Sequence, residues 1–236
     1  MKSISRLAVA VLACLLIGAA APKPLPADPV TLETVLKKMD ATGAAFRSTQ
    51  AQFEWDRYER VIDEVDDIEF GNIYYRRSGP DIEMMAEITK PEKKFVLFSH
   101  GKIQMYLPKA DQVTVYDLGK NKADFESYLV LGFGGSGQDL LKAFDVTYLG
   151  PETINGVATA KLQLVPKSAT VRNNFKQILL WIDLDRGISV QQQFFEPQGD
   201  YRLSKYSAIQ MNGKKIPDDV FKLKTTSKTQ TLSPHG

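Results

Sequence analysis

Between Phe175 and Met211 the sequence FKQILLWIDLDRGISVQQQFFEPQGDYRLSKYSAIQM reads as three β-strands joined by two tight turns. Asp183-Leu184-Asp185-Arg186-Gly187 and Glu196-Pro197-Gln198-Gly199-Asp200 carry the turn residues, and the runs around them are rich in Ile, Val, Phe and Tyr. Successive side chains of a strand point to opposite faces, so Ile178, Leu180 and Ile182 share one face while Leu179 and Trp181 share the other. A sheet with one face in water alternates apolar and polar residues, whereas both faces here are apolar. Helix, sheet or ligand must therefore cover each side.

The 236 residues suffice for one large all-β domain, and no low-complexity linker divides the middle of the chain. At the start, Lys2 and Arg6 precede an apolar run from Leu7 to Ile17 that ends in Gly18-Ala19-Ala20-Ala21, the pattern of a secretory signal peptide. That run is too short to span a bilayer. Cleavage is expected after Ala20, because a cut after Ala21 would leave Pro22 next to the scissile bond; the alternative is a lipoprotein signal using Val11-Leu12-Ala13-Cys14. Residues 1–20 thus read as a leader, 21–30 as a Pro-rich spacer, 31–226 as the folded domain and 227–236 as a polar tail. Losing Lys2 and Arg6 from thirty basic side chains leaves 28 against 28 acidic ones. A near-neutral chain does not suit nucleic acid, whose binding needs a basic surface. The leader also holds the single cysteine, Cys14, so no intramolecular disulfide is expected, although an oxidising compartment would permit one.

Leu32, Val35, Leu36, Met39 and Phe46 recur at helical spacing behind Asp28 or Thr31 as N-cap, an amphipathic helix that must dock on something. From Thr49 to Asp56 the period switches to two, with Ala51, Phe53 and Trp55 alternating against Gln50, Gln52, Glu54 and Asp56. Five further strands are expected at 67–76, 81–89, 94–99, 102–107 and 112–117, separated by Arg77-Ser78-Gly79-Pro80, Lys90-Pro91-Glu92-Lys93, His100-Gly101 and Pro108-Lys109-Ala110-Asp111. Two short helices follow, with Phe125, Tyr128 and Leu129 on one and Leu140, Leu141 and Phe144 on the other. Strands resume at 145–149 and 157–165 around a turn at 152–156, and after the meander Ile216-Pro217-Asp218-Asp219-Val220-Phe221 makes one helical turn. The count is about eleven strands, a mostly β (α+β) chain whose single antiparallel sheet must curl strongly or close.

Catalytic constellations are scarce. Gly132-Phe133-Gly134-Gly135-Ser136-Gly137 matches G-x-G-x-x-G, with Glu152 twenty residues on, but a dinucleotide site needs a βαβ unit and hairpins surround this one. Gly132, Gly134, Gly135 and Gly137 read instead as a hinge between two helices of a lid. His100 and His235 are the only histidines, which leaves zinc sites and nucleophilic triads without parts. The cluster Asp63, Glu64, Asp66, Asp67 and Glu69 reads as a solvated hairpin tip rather than a cation site. Asp218-Asp219 suits a helix N-terminus better than a catalytic pair. A non-enzymatic protein without cofactor or metal is expected, and the surplus of apolar residues points to a cavity on the concave side of the sheet, capped by the inserted helices.

Lys161-Leu162-Gln163-Leu164-Val165-Pro166, the meander after it and Ile216-Pro217-Asp218-Asp219-Val220-Phe221 resemble the C-terminal half of LolA-type outer-membrane lipoprotein carriers. Gly71-Asn72-Ile73-Tyr74-Tyr75-Arg76-Arg77 looks like that family's segment of glycine, strand and basic-Arg-Pro, and Ser99-His100-Gly101-Lys102 with Tyr106-Leu107-Pro108 looks like its "DG…YxP" hairpin. The resemblance covers most of the chain after the leader, in the same order. It implies a half-closed eleven-stranded barrel with a helical lid, a monomer that shields lipoprotein acyl chains in the periplasm and moves them from an inner-membrane lipoprotein-releasing complex to an outer-membrane acceptor. It also implies that Arg77 controls the lid, with Arg76 as the alternative because Ser78 stands where the family has proline. Ile82, Met84, Leu97, Ile103, Met105, Leu129, Leu140, Phe144 and Trp181 are the expected cavity residues, and a charge at Met84 or Leu97 is expected to disturb that space more than one at Gln192. An envelope sensor or scaffold on the same fold, which binds lipidated or misfolded proteins without delivering them, is the alternative.

Overall fold

Thr31 starts the first helix. Its hydroxyl accepts from the Thr34 amide at 3.2 Å while the Thr34 hydroxyl accepts from the Thr31 amide at 3.0 Å, a reciprocal cap that satisfies two otherwise orphaned donors. The computed structural model describes residues 30–79, 81–129, 131 and 133–234. The expected leader, the spacer up to Pro29, Pro80, Gly132 and His235 lie outside the described residues.

Helix α1 (Leu32–Ala45) leads into β1 (Ser48–Glu59), β2 (Glu64–Ser78), β3 (Asp81–Lys90), β4 (Lys94–Ser99), β5 (Lys102–Leu107) and β6 (Gln112–Asp117). A 3₁₀ turn (Gly119–Asn121), α2 (Lys122–Leu129) and α3 (Gly137–Ala143) interrupt the strands. Then come β7 (Phe144–Ile154), β8 (Val157–Pro166), α4 (Ala169–Arg172), β9 (Gln177–Asp183), β10 (Ser189–Phe195), β11 (Tyr201–Met211), a second 3₁₀ turn (Asp218–Phe221) and β12 (Gln230–Leu232). All twelve strands form one curved, unclosed sheet in the order β12-β6-β5-β4-β3-β2-β1-β11-β10-β9-β8-β7, antiparallel except for β12 on β6.

Turn chemistry set the boundaries well. His100 and Gly101, and likewise Asn155 and Gly156, have positive φ at both central positions, the geometry that joins twisted strands in a two-residue hairpin. Register shifts at Gln50/Gln52, Arg57/Tyr58, Phe70/Gly71, Tyr148/Gly150 and Ser189/Gln191 bend the strands, as extra residues in a ladder do, and so help to curl the sheet. Some strands differ from expectation in length, with β2 starting at Glu64, inside the acidic segment read as a hairpin tip, rather than at 67, and β7 running to Ile154 rather than to 149; two elements are additional. The four-residue α4 was not foreseen, and the segment read as a polar tail supplies a twelfth strand, because Asp111 accepts from the hydroxyls of Thr226 (2.6 Å) and Thr229 (2.5 Å) and pins it to the β6 edge.

Three apolar clusters account for grease on both faces. On the concave side, α1 lays Val35, Leu36 and Met39 over Leu162 and Leu164 of β8 and Ile178, Leu180 and Ile182 of β9. Beside it, Phe46, Ala51, Phe53, Ile73, Tyr75, Met84, Ile88 and Phe98 continue the concave layer across β1 to β4, topped by Phe133. On the convex side the second 3₁₀ turn presses Ile216 and Phe221 onto Met85 and Leu97.

Candidate functional site

The concave layer is not filled to the end. Between the two inner clusters lies a cavity of about 720 Å³, within the ~300–1,000 Å³ typical of small-molecule pockets. Strands β1 to β5 contribute Trp55, Ile73, Tyr75, Met84, Ile88, Val96 and Met105; α2 contributes Phe125, Tyr128 and Leu129. Val171, Phe175, Phe194 and Tyr206 close the far wall. The rings interlock edge to face, Tyr128 on Phe175 at 5.8 Å and Phe175 on Phe194 at 5.2 Å, which gives a rigid apolar wall. Burial pushes the Tyr206 phenol up to about 12 and that of Tyr75 well above its ordinary value, so both remain neutral hydroxyls at physiological pH.

One end of the cavity is charged. Asp67 and Glu69 of β2 face the interior beside Arg57, Arg202 and Lys94, and the Glu69–Lys94 ion pair lies half-buried among them. An occupant therefore meets hydrocarbon along most of the length and charge at one mouth.

Several expected residues sit in or beside this space. Met84, Met105 and Leu129 line it, and Ile82 and Ile103 belong to the apolar layer around it. Leu140 and Phe144 pack under α1 with the other inner cluster. Other expectations are corrected. Leu97 pairs in register with Met85, which places both on the convex face under Ile216 and Phe221. Trp181 also points outward, alternating against the inward Leu180 and Ile182; its indole donates to Glu152 at 2.9 Å and carries Lys161 4.8 Å from its ring. Gln192, read as the polar control, is buried and faces the cavity from β10.

The arginines separate. Arg76 faces the convex side, where its guanidinium donates to Glu83 at 2.6 Å and to Asp218 and lies 4.2 Å from the Phe221 ring centroid, so it fastens the C-terminal 3₁₀ turn and has no place at the lid. Arg77 lies on the inward face with its guanidinium 6.0 Å from the ring of Phe46 at the end of α1. The ion pair that ties α2 to the sheet comes from a residue the sequence did not single out: Lys122 donates to Asp81 at 2.6 Å. That hydrogen bond lowers the pKa of Asp81 and raises that of Lys122, so the latch is complete above the ordinary carboxylate value of 3.8 and below the ordinary amine value of 10.5. It weakens as pH falls through the lowered Asp81 value or rises through the raised Lys122 value. Lys122→Met is expected to speed amide exchange of α2 at neutral pH relative to the parent, and Asp81→Asn to do the same.

The glycine segment packs closely against α1. A Cβ at Gly137 would lie 2.7 Å from the Leu36 carbonyl oxygen, and one at Gly134, whose φ is +100°, would lie 2.5 Å from the Phe46 ring. The carbonyls of Gly134 and Gly135 in turn abut Gly43 of α1. These glycines let two backbones approach closely, and Gly134 also takes a backbone conformation that favours glycine.

No family model matches the sequence, and no curated protein matches it either. Solved structures do. An uncharacterized conserved protein from Thermus thermophilus is similar over 86% of this chain and 98% of its own length, with 12% identity and a TM-score of 0.55. MucB is similar over 85% of this chain with 14% identity and a TM-score of 0.52; this chain spans 65% of that MucB chain. In the structure of MucB with MucA(peri), MucB is covered over 59% of its length. The LolA superfamily protein NE2245 from Nitrosomonas europaea is similar over 83% of this chain and 99% of its own, with 15% identity and a TM-score of 0.41. The fold is shared with the Thermus protein and with MucB, and in this chain it is a curved antiparallel sheet under a few helices. At these identities the likeness is one of fold.

Proposed function

We propose that the protein is a periplasmic carrier that takes lipoprotein acyl chains into the concave cavity and transfers them toward the outer membrane. The observation that carries this reading is the 720 Å³ cavity, apolar along strands and lid and charged only at one mouth. A buried methylene is worth about 0.8 kcal/mol, so an acyl chain of roughly sixteen carbons gains on the order of 10 kcal/mol by leaving water. Apolar contact alone offsets that loss in transit. Met84 and Met105, unbranched and polarizable, let the wall adapt to chains of different shape. Arg77, stacked toward Phe46, and the Lys122–Asp81 latch are the groups through which the lid would open.

The fold is shared with MucB, and a second reading on the same fold is a sensor that binds lipidated or misfolded envelope proteins without passing them on. One experiment separates the two. Native mass spectrometry of protein purified from a periplasmic extract is expected to show bound acyl species, and the delipidated protein is expected to accept a synthetic triacylated lipopeptide and release it to acceptor vesicles. Uptake without release supports the sensor; failure to bind any acyl ligand sinks both readings.

A further inference from the structure

Where α1 ends and the sheet begins, Arg47, Arg76, Arg77 and Lys215 border a cleft of about 440 Å³, Arg77 from the inward face and Arg76 from the convex one, and its lining contains one carboxylate, Asp218. Asp218 is already committed. It accepts from Arg76 and lies 3.8 Å from the Lys215 amine, while Glu83 binds Arg76 from behind. Arg47 and Arg77 are exposed, and no carboxylate of the described residues pairs with either. They are also neighbours: the Arg77 amide donates to the Arg47 carbonyl at 2.8 Å, one step beyond the Ser48–Arg76 register pair. Like charges set opposite each other across a ladder are destabilising, so a pair held this way without a counter-charge is a cost that a bound anion removes.

The frame around them is rigid. Asn212, in the left-handed region at φ +50°, accepts the amides of Arg47 at 2.7 Å and Ser48 at 3.2 Å through one oxygen and donates to the Ala45 carbonyl at 2.8 Å. This clamp fixes the backbone from which Arg47 projects, and the Arg77 guanidinium lies 6.0 Å from the Phe46 ring. Two guanidinium forks on a fixed backbone match the oxygens of a tetrahedral oxyanion, which Arg binds with paired hydrogen bonds.

We infer that this cleft is a phosphate-binding site with Arg47 and Arg77 as the recognition residues. The ligand class is a phosphate group, free or carried on a lipid headgroup. The cleft shares no lining residue with the acyl cavity; the carrier reading also gives Arg77 a part at the lid, whereas Arg47 has none there.

The test uses residues 21–236, delipidated. Isothermal titration with inorganic phosphate and with sn-glycerol 3-phosphate, and flotation with phosphatidylglycerol or phosphatidylcholine vesicles, separate the two sources. Phosphate and glycerol phosphate are expected to bind without vesicles if the ligand is free, and phosphatidylglycerol vesicles to float the protein if it is a headgroup. In either case Arg47→Gln and Arg77→Gln should each weaken binding about tenfold to a hundredfold, as for a lost charge-assisted contact. Lys176→Gln, which removes one exposed charge elsewhere, should leave it unchanged. All three are surface changes, and equal melting temperatures without ligand show that they fold. Met84→Glu should also keep phosphate binding, which distinguishes failure of this site from failure of the cavity. No binding of any probe, or equal binding by the double arginine variant and Lys176→Gln, overturns the inference.

Discussion

Met84→Glu is expected to abolish acyl uptake at neutral pH. Met84 is 6% exposed, lies opposite Tyr75 on one side and Phe98 on the other, and faces the cavity directly. A carboxylate there lies between Tyr75 and Phe98 in the apolar layer, and the cations of the cavity mouth are already paired, Lys94 with Glu69, Arg57 with Glu59 and Arg202 with Glu196. An ionised group against hydrocarbon costs several kcal/mol, so affinity for an acyl probe should fall by about a hundredfold or more. Burial raises the pKa of such a carboxyl, so protonation at mildly acidic pH should restore part of the uptake. Displacement of a fluorescent fatty acid, followed across pH, reads both effects. Met84→Leu keeps volume and should bind nearly as well as the parent. Leu97→Glu is the matching control on the other face: it should lower the melting temperature by disturbing Ile216 and Phe221, while the folded fraction still takes up the probe.

Gly71→Ala is expected to be the most damaging single-methyl change. An added Cβ would stand 2.1 Å from the carbonyl oxygen of Glu87 and 2.7 Å from the Phe53 ring. The Glu87 oxygen belongs to the backbone of β3, which pairs with β2 along its whole length, so it cannot retreat without breaking the ladder at the Phe70/Gly71 shift. Overpacking of this kind costs about 3 kcal/mol. For a chain of this size that corresponds to a melting temperature lower by about 6–12 °C. A melting temperature within about two degrees of the parent, read by circular dichroism, would refute the assigned close approach.

What the sequence made legible is the alternation and its punctuation. β4, β5 and β6 have the bounds expected from apolar runs between His100-Gly101 and the Pro108 turn, because a period of two and a positive-φ dipeptide are both local signals. What stayed illegible is which side of a two-sided strand faces inward. In β4 the alternation sorts Val96 and Phe98 from Phe95 and Leu97 without saying which pair meets the helices. The decision comes from Ile216 and Phe221, more than a hundred residues later, which cover Leu97. For Trp181 it comes from Glu152, one strand past its neighbour β8, whose carboxylate receives the indole N–H. Residues such as Gln192 deceive for the complementary reason: a polar side chain can line a cavity near its charged mouth. The contribution of β12 left no local trace, since Gln230-Thr231-Leu232 owes its place to hydroxyls that reach Asp111. The lid latch likewise joins Lys122 to a residue 41 positions earlier.

The strand order has a kinetic corollary. From β2 to β6, and again from β7 to β11, each strand pairs with the next along the chain, so either series can zip up through short loops. β1 alone joins them, through partners such as Glu54 and Lys205 that stand 151 residues apart. Closing so long a loop carries the entropy that slows non-local β pairing. The sheet is then two meanders that form early and one seam that closes late, and the concave space exists only once that seam has formed.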